Sequence, residues 1–214
     1  LYLRQQGHKV DTIAKSRPLD TGTVLLDITS PTAVLTFPWE QYDAVINCAA
    51  VLVKASESNK PAAVLANAWF PHQLEQILSG ASTRIIQVSS DGVFSGKNAP
   101  YLETGSSDCP AFYGKTKFLG ELHNGKDLTI RASFVGPEYF PEGRSLFHWF
   151  VTQKGSVPGY SETYFNGITS LAFAQFIHRI LPHPPTGVLH VGAKETISKA
   201  RFLTLIKDVF HLDG

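Results

Sequence analysis

Short apolar runs recur along this chain, separated by stretches in which apolar residues return every three or four positions, and that alternation predicts strands alternating with helices. Leu1 to Gly7 reads as the end of a helix closed by a glycine. His8 to Ala14 and Thr23 to Ile28 read as strands, with a basic polar turn, Lys15-Ser16-Arg17, between them. Ser30-Pro31 starts a short helix, serine as cap and proline at the first position. Asp43 to Ala50 is a third strand that ends in small residues, and Pro61 opens a long helix to Leu78 that bends near Pro71. Ile85 to Val88 is a buried strand, and a loop rich in glycine, proline and serine follows from Ser90 to Pro110. A helix through Tyr113 continues toward His123, and Leu128 to Ser133 is a further strand. This rhythm predicts an α/β fold, a doubly wound parallel sheet covered on both faces.

The rhythm changes after Gly136-Pro137. An aromatic helix around Phe147 to Phe150, a turn-rich stretch to Gly167, a helix from Thr169 to Leu181, a strand Val188 to Val191 and an amphipathic helix from Ser198 complete the chain.

Composition narrows the function classes. A net charge of +1 with 17% charged residues gives no footprint for nucleic acid, and no apolar run is long enough to span a membrane. The two cysteines, Cys48 and Cys109, form no framework, which fits a reduced cytoplasmic setting. Eight histidines show no His-x-x-x-His or His-Glu pairing, so no metal site is expected. The chain contains no methionine, so it is expected to be part of a longer translation product.

The candidate chemistry lies in Val88-Ser89-Ser90-Asp91-Gly92-Val93-Phe94 and Ala111-Phe112-Tyr113-Gly114-Lys115-Thr116-Lys117. Ligands of open α/β sheets bind outside the carboxyl ends of the strands, where Ser90 falls. Tyr113 and Lys117 are four apart, so on a helix they share a face. An ammonium near a phenol favours the phenolate, which would suit Tyr113 to general acid or base work.

These motifs, with Asp27-Ile28-Thr29, Asn47-Cys48-Ala49-Ala50, Asn67 and Leu128-Thr129-Ile130-Arg131, resemble the extended short-chain dehydrogenase/reductase superfamily. Within it they are most similar to the dTDP-4-dehydrorhamnose reductase branch of sugar-nucleotide reductases. The resemblance implies a Rossmann-type dinucleotide-binding domain over 1–135 and a substrate lobe over 136–214, with about 169–192 returning to the first domain. It implies NADP(H)-dependent reduction of the 4-keto group of a nucleotide-linked 4-keto-6-deoxy sugar. Tyr113 would donate the proton, Lys117 would lower its pKa and hold the nicotinamide ribose, Ser90 would bind the carbonyl oxygen, and Asn67 would support a water relay to the lysine. Asp27 and Ile28 would flank the adenine, and Ala49 and Ala50 would let the cofactor pass closely. Ser89 is read as a strand-end hydrogen-bonder.

Departures from the family pattern carry further expectations. Its first strand and Gly-x-x-Gly-x-x-Gly turn have no counterpart from Leu1 onward, and a product truly lacking them would bind cofactor poorly. Where NAD-preferring relatives carry an acid, this chain has Ala14 followed by Lys15, Ser16 and Arg17, which would receive a 2′-phosphate, so NADP(H) is expected before NAD(H). Dehydratases of this superfamily place Asp-Glu after the serine, and here Asp91 is followed by Gly92, which argues against dehydration. Asp91 has two readings, a bond to a sugar hydroxyl or a loop cap.

Substrate recognition would fall to the region after Ser133 and to the loop of Val51, Leu52, Val53 and Lys54. Phe147, Trp149 and Tyr164 are stacking candidates. Lys54, Arg131 and Arg144 are diphosphate candidates, although Arg131 reads equally as a buried ion-pair partner. A homodimer is compatible with the resemblance. Two rival functions remain open: a non-catalytic NADP-binding regulatory subunit resembling the methionine adenosyltransferase β subunit, and a nucleotide-sugar epimerase.

Overall fold

The structure, a computed structural model, describes residues 1–138, 143 and 145–212. Helix α1 (Tyr2–Gln5) closes before Gly7, whose φ of +88° is the left-handed conformation that stops a helix. Strands β1 (Thr12–Ala14) and β2 (Thr23–Leu25) pair in parallel as a sheet of their own, and α2 (Pro31–Thr36) starts after Ser30 with proline in its first turn. There follow β3 (Ala44–Asn47), α3 (Val53–Ser58), α4 (Lys60–Ala63), a π-helical segment Val64–Trp69, α5 (Phe70–Ile77), β4 (Arg84–Val88), α6 (Phe112–Leu119) and β5 (Leu128–Ala132). The chain ends with α7 (Leu146–Val151), β6 (Tyr164–Phe165), α8 (Ser170–Ile180), β7 (Gly187–Val191), β8 (Ile197–Ser198) and α9 (Lys199–Phe210).

The main sheet has the order β3-β4-β5-β7. Its first three strands are parallel, with Ile46 opposite Ile86 and Ile86 opposite Leu128. This is the predicted α/β architecture. By contacts the chain divides into two compact units, Leu1–Arg131 with Ile177–His190, and Ala132–Phe176 with Val191–Gly214. The first unit is organised around Val34, Trp39, Phe70, Leu74, Leu78, Ile85 and Leu122, all buried. Each such side chain contributes about 1.5–3 kcal/mol by leaving water. In the second, β6 and β8 pair antiparallel and Phe165 packs edge-on against Phe202 at 5.1 Å.

Three local readings of the sequence need correction. The stretch expected as a loop from Val51 to Lys54 runs into α3, and helix α4 begins before Pro61, where the Asn59 side chain accepts the Ala62 N–H at 3.2 Å. Near Pro71, where a bend is expected, the helix is widened. Pro71 has no N–H for the Asn67 carbonyl four residues earlier, and the ladder relaxes to π register across Val64–Trp69. Finally, α6 stops at Leu119 rather than continuing to His123. Gly120 lies so close to Asn67 that a Cβ there would overlap the Asn67 backbone oxygen.

Candidate functional site

One hydrogen bond and one close backbone approach set the geometry around Tyr113. The Phe112 N–H at the start of α6 donates to Glu57 of α3 at 2.9 Å, which anchors the helix end. Two residues further, Gly114 packs on the turn after β4: a Cβ on it would overlap the Gly92 carbonyl oxygen and come within 2.7 Å of Cys109 Sγ. That contact brings Tyr113 to Ser90. A Cβ added to Gly92 would lie 3.1 Å from Ser90 Oγ and 3.4 Å from Tyr113 Cε1, so the hydroxyl and the phenol ring border one small space.

Ser90 is already engaged. Its Oγ accepts the Gly92 N–H at 3.0 Å, capping the turn Asp91–Val93, and donates to Asp91 Oδ1 at 3.2 Å. A hydroxyl has one proton to give. A carbonyl oxygen bound at Ser90 would therefore take that proton from Asp91; the turn itself is capped by Ser90, not by Asp91.

The expected action of Lys117 on Tyr113 is not what the structure contains. Burial pushes the Tyr113 phenol above its ordinary value, the neighbouring Ser90 hydroxyl draws it back, and the Asp91 charge raises it again. Tyr113 is thus a protonated group at neutral pH, suited to giving a proton. Lys117 donates its Nζ to the Val88 carbonyl at 2.7 Å and is not among the groups that shift the phenol. At 2% exposure its ammonium is desolvated, which lowers its pKa to about 8, against the opposing influence of the Cys48 thiol and the Glu121 carboxylate.

Asn67 is no helix-surface amide: it is fully buried. Its Oδ1 accepts the Val51 N–H at 2.8 Å, and its Nδ2 donates to the Val51 carbonyl at 3.0 Å and to Thr116 Oγ1 at 3.1 Å. The side chain therefore fixes the segment after β3 to α6. The strand-end reading of Ser89 fits what is seen, a donor to Glu121 Oε1 at 2.7 Å.

Arg131 is corrected from a diphosphate candidate to a structural partner. It is 3% exposed, with Nε and Nη2 bonded to the two oxygens of Glu121 at 2.9 and 2.7 Å and Nη1 bonded to the Glu103 carbonyl at 3.2 Å. Its donors are spent inside the fold.

Five of the predicted cofactor residues, Lys15, Asp27, Ile28, Ala49 and Ala50, line a cavity of about 520 Å³, whereas Tyr113 and Lys117 do not. Ala14, Lys15, Asp27 and Ile28 line it from the β1 and β2 side, and Ala49 and Ala50 line it from the end of β3. The Ala49 N–H is held by Asn47 Oδ1 at 3.1 Å, and Asn47 Nδ2 is held by Gln87 Oε1 at 2.7 Å, so the small-residue end of β3 has a fixed conformation. Lys15 Nζ sits 2.9 Å from Asp27 Oδ2. Asp27 also accepts the hydroxyl and N–H of Thr29, and these bonds, with Lys15, hold its carboxyl down at about 2. The residues fit a nucleoside next to a charged group: apolar walls, a carboxylate and an ammonium at one rim, and alanines where a chain would pass. Ser16 and Arg17 do not line the cavity; both are exposed on the turn beyond Lys15.

The remaining substrate candidates are dispersed. Lys54 is exposed on α3. Trp149 lies on α7 in the second unit, where Phe147 packs edge-on against the exposed Phe210 at 4.9 Å and no residue of the helix is buried. Tyr164 is exposed on β6 of the same unit, and Arg144 lies outside the described residues. The residues that sequence reasoning missed are Glu121, Thr116 and Gly120. Glu121 had a readable signal, its position four after Lys117. Among the described residues no cluster of three or more His, Cys, Asp or Glu could hold a metal, and no helix is long and apolar enough to cross a membrane.

Comparison with known proteins places this geometry. A family model described as the RmlD substrate binding domain matches residues 2–139. A dTDP-4-dehydrorhamnose reductase of Mycobacterium tuberculosis is 36% identical over 101 residues, 44% of this chain and 33% of that protein. The methionine adenosyltransferase 2 subunit beta of Xenopus tropicalis is 27% identical over 183 residues, 78% of this chain and 54% of that protein. The matched stretches thus span a third to about half of these relatives. A crystal structure of a hypothetical dTDP-4-dehydrorhamnose reductase from Sulfolobus tokodaii superposes with a TM-score of 0.86 at 27% identity, covering 100% of this chain and 78% of that one. With that family match over more than half of its length, the chain belongs to the RmlD substrate binding domain family.

Proposed function

We propose that this chain carries the chemistry of an NADP(H)-dependent reductase acting on a 4-keto-6-deoxy sugar nucleotide. The observation that supports the reading most is the convergence of Ser90 Oγ and the Tyr113 ring on the space beside Gly92, with the buried Lys117 bonded to the carbonyl of Val88, two residues before Ser90. NADPH, when bound, supplies a hydride to the keto carbon. Ser90 polarises the carbonyl oxygen by a hydrogen bond, and Tyr113 gives that oxygen a proton as the C=O π bond opens to an alcohol. Lys117 keeps a positive charge behind the site. The first compact unit would hold the dinucleotide and the second would contribute to sugar recognition. The absence of an acid at Ala14 and the Lys15 ammonium at the cavity rim favour a 2′-phosphate.

The test is calorimetry with NADPH and NADH, on this chain and on a version extended upstream through a glycine-rich turn, followed by turnover of a dTDP-4-keto-6-deoxy sugar. Binding that prefers NADPH, with reduction of the sugar, supports the reading. No binding by either form defeats it.

A second reading is a regulatory subunit that keeps the fold and the cofactor site. It rests on the resemblance to the Xenopus β subunit, which extends over more of this chain than the mycobacterial one does. A stable complex with an unrelated enzyme, together with no reduction of any keto-sugar nucleotide, would favour it.

A further inference from the structure

We infer that Glu121 is a positioning residue: its buried carboxylate ties the strand end that carries Ser90 to the helix that carries Lys117. The inference rests on the reductase reading and concerns how that site is held in place. Glu121 is 1% exposed and lies just past the end of α6, four residues after Lys117. Its Oε1 accepts Ser89 Oγ–H at 2.7 Å and Arg131 Nε–H at 2.9 Å, and its Oε2 accepts Arg131 Nη2–H at 2.7 Å.

The Val88-Ser89 segment is thereby held from three directions. The Ser89 N–H donates to the Ile130 carbonyl of β5 at 2.7 Å, Lys117 takes the Val88 carbonyl, and Glu121 takes the Ser89 hydroxyl. Ser90 is the next residue, so the direction of its side chain follows from that clamp.

The far side of the clamp is fixed too. Arg131 reaches the Glu103 carbonyl at 3.2 Å, and its guanidinium lies 5.0 Å from the Phe94 ring and 5.8 Å from the Phe118 ring. Neither member of the pair can swing away without breaking several contacts. A buried ion pair is weak evidence for stability in itself, because desolvation offsets its attraction. What this one adds is orientation, since the hydroxyl of Ser89 links it to the strand end next to Ser90. Glu121 also acts on Lys117 directly, favouring the ammonium together with Cys48 at the end of β3. His123 faces Glu121 from the other side, Nε2 to Oε2 at 3.8 Å.

The experiment compares Ser89→Ala and Glu121→Gln with the unaltered protein. Ser89→Ala removes the link and leaves the ion pair whole, so the protein should stay folded with a modestly lowered melting temperature while kcat falls roughly ten- to hundredfold and the KM for NADPH stays within about twofold. Glu121→Gln should in addition move the titration of Lys117, followed through its 13Cε chemical shift, to lower pH. Wild-type kcat in Ser89→Ala, or an unmoved Lys117 titration in a folded Glu121→Gln, would overturn the inference. If the unaltered protein reduces no keto-sugar, the reductase reading fails by itself, and the Lys117 titration still decides whether Glu121 acts on the site.

Discussion

The two ends of the first unit are built differently. Around β4, α6 and β5 every residue of β5 is buried, and Ser89, Lys117, Glu121, Asn67 and Arg131 are each locked by short hydrogen bonds inside the fold. Around β1, β2 and β3 the strands are only partly buried, the two sheets are not paired to each other among the described residues, and the charged tie, Lys15 to Asp27, sits at the surface. The cavity lies at this second end, lined by both sheets. The contrast teaches that the supports around Ser90 and Tyr113 are fixed by packing and hydrogen bonds, whereas the cavity end leaves room and solvent contact for a ligand.

The contrast breaks most severely at Gly120. Gly120→Ala would drive a methyl group into the Asn67 carbonyl oxygen, and either α6 or the π segment must move. We expect a loss of about 3 kcal/mol or more in urea unfolding, together with loss of the Tyr113 site. Wild-type stability would show that the two helices are looser than described.

A smaller effect comes from Lys117, and its sign is set by burial. The folded protein releases this proton at about 8, whereas the unfolded chain releases it near the ordinary 10.5. Between those values the unfolded state binds more protons, so stability rises with pH across that window, and the penalty for the buried ammonium is fully present below it. Lys117→Met should flatten the curve, by up to ~3 kcal/mol across the window. Equal pH slopes in the two proteins would refute the desolvated ammonium.

The smallest effect belongs at the open end. Lys15 is exposed, so Lys15→Ala should change stability by less than about 1 kcal/mol. It should nonetheless weaken NADPH more than NADH in calorimetry. Equal weakening of both would remove the 2′-phosphate role.

Which parts were legible in the sequence follows from the same contrast. Apolar runs and their spacing located β3, β4, β5 and α6, because burial on a parallel sheet demands such runs. Tyr113 and Ser90 were placed together by motif. Invisible from the sequence were effects of backbone meeting backbone: Gly114 on Gly92, Gly120 on Asn67, and the π register that Pro71 imposes. The destination of Arg131 was also undetermined, since a guanidinium at a strand suits a diphosphate and a buried carboxylate equally well. Its partner, Glu121, lies ten residues earlier, across the turn from α6 to β5. The phenol of Tyr113 was expected to be lowered by Lys117, but a four-residue spacing gives a shared face and says nothing of where a long side chain ends. Lys117 ends on Val88.

The measurement that bears most directly on this account is Tyr113→Phe, assayed for reduction of a dTDP-4-keto-6-deoxy sugar and for NADPH binding. If the phenol is the proton source, as proposed, and the ring alone fills its space, turnover should fall by roughly 10²–10⁴ while NADPH affinity changes little. Turnover at the unaltered rate would contradict the assignment of Tyr113 as the proton donor.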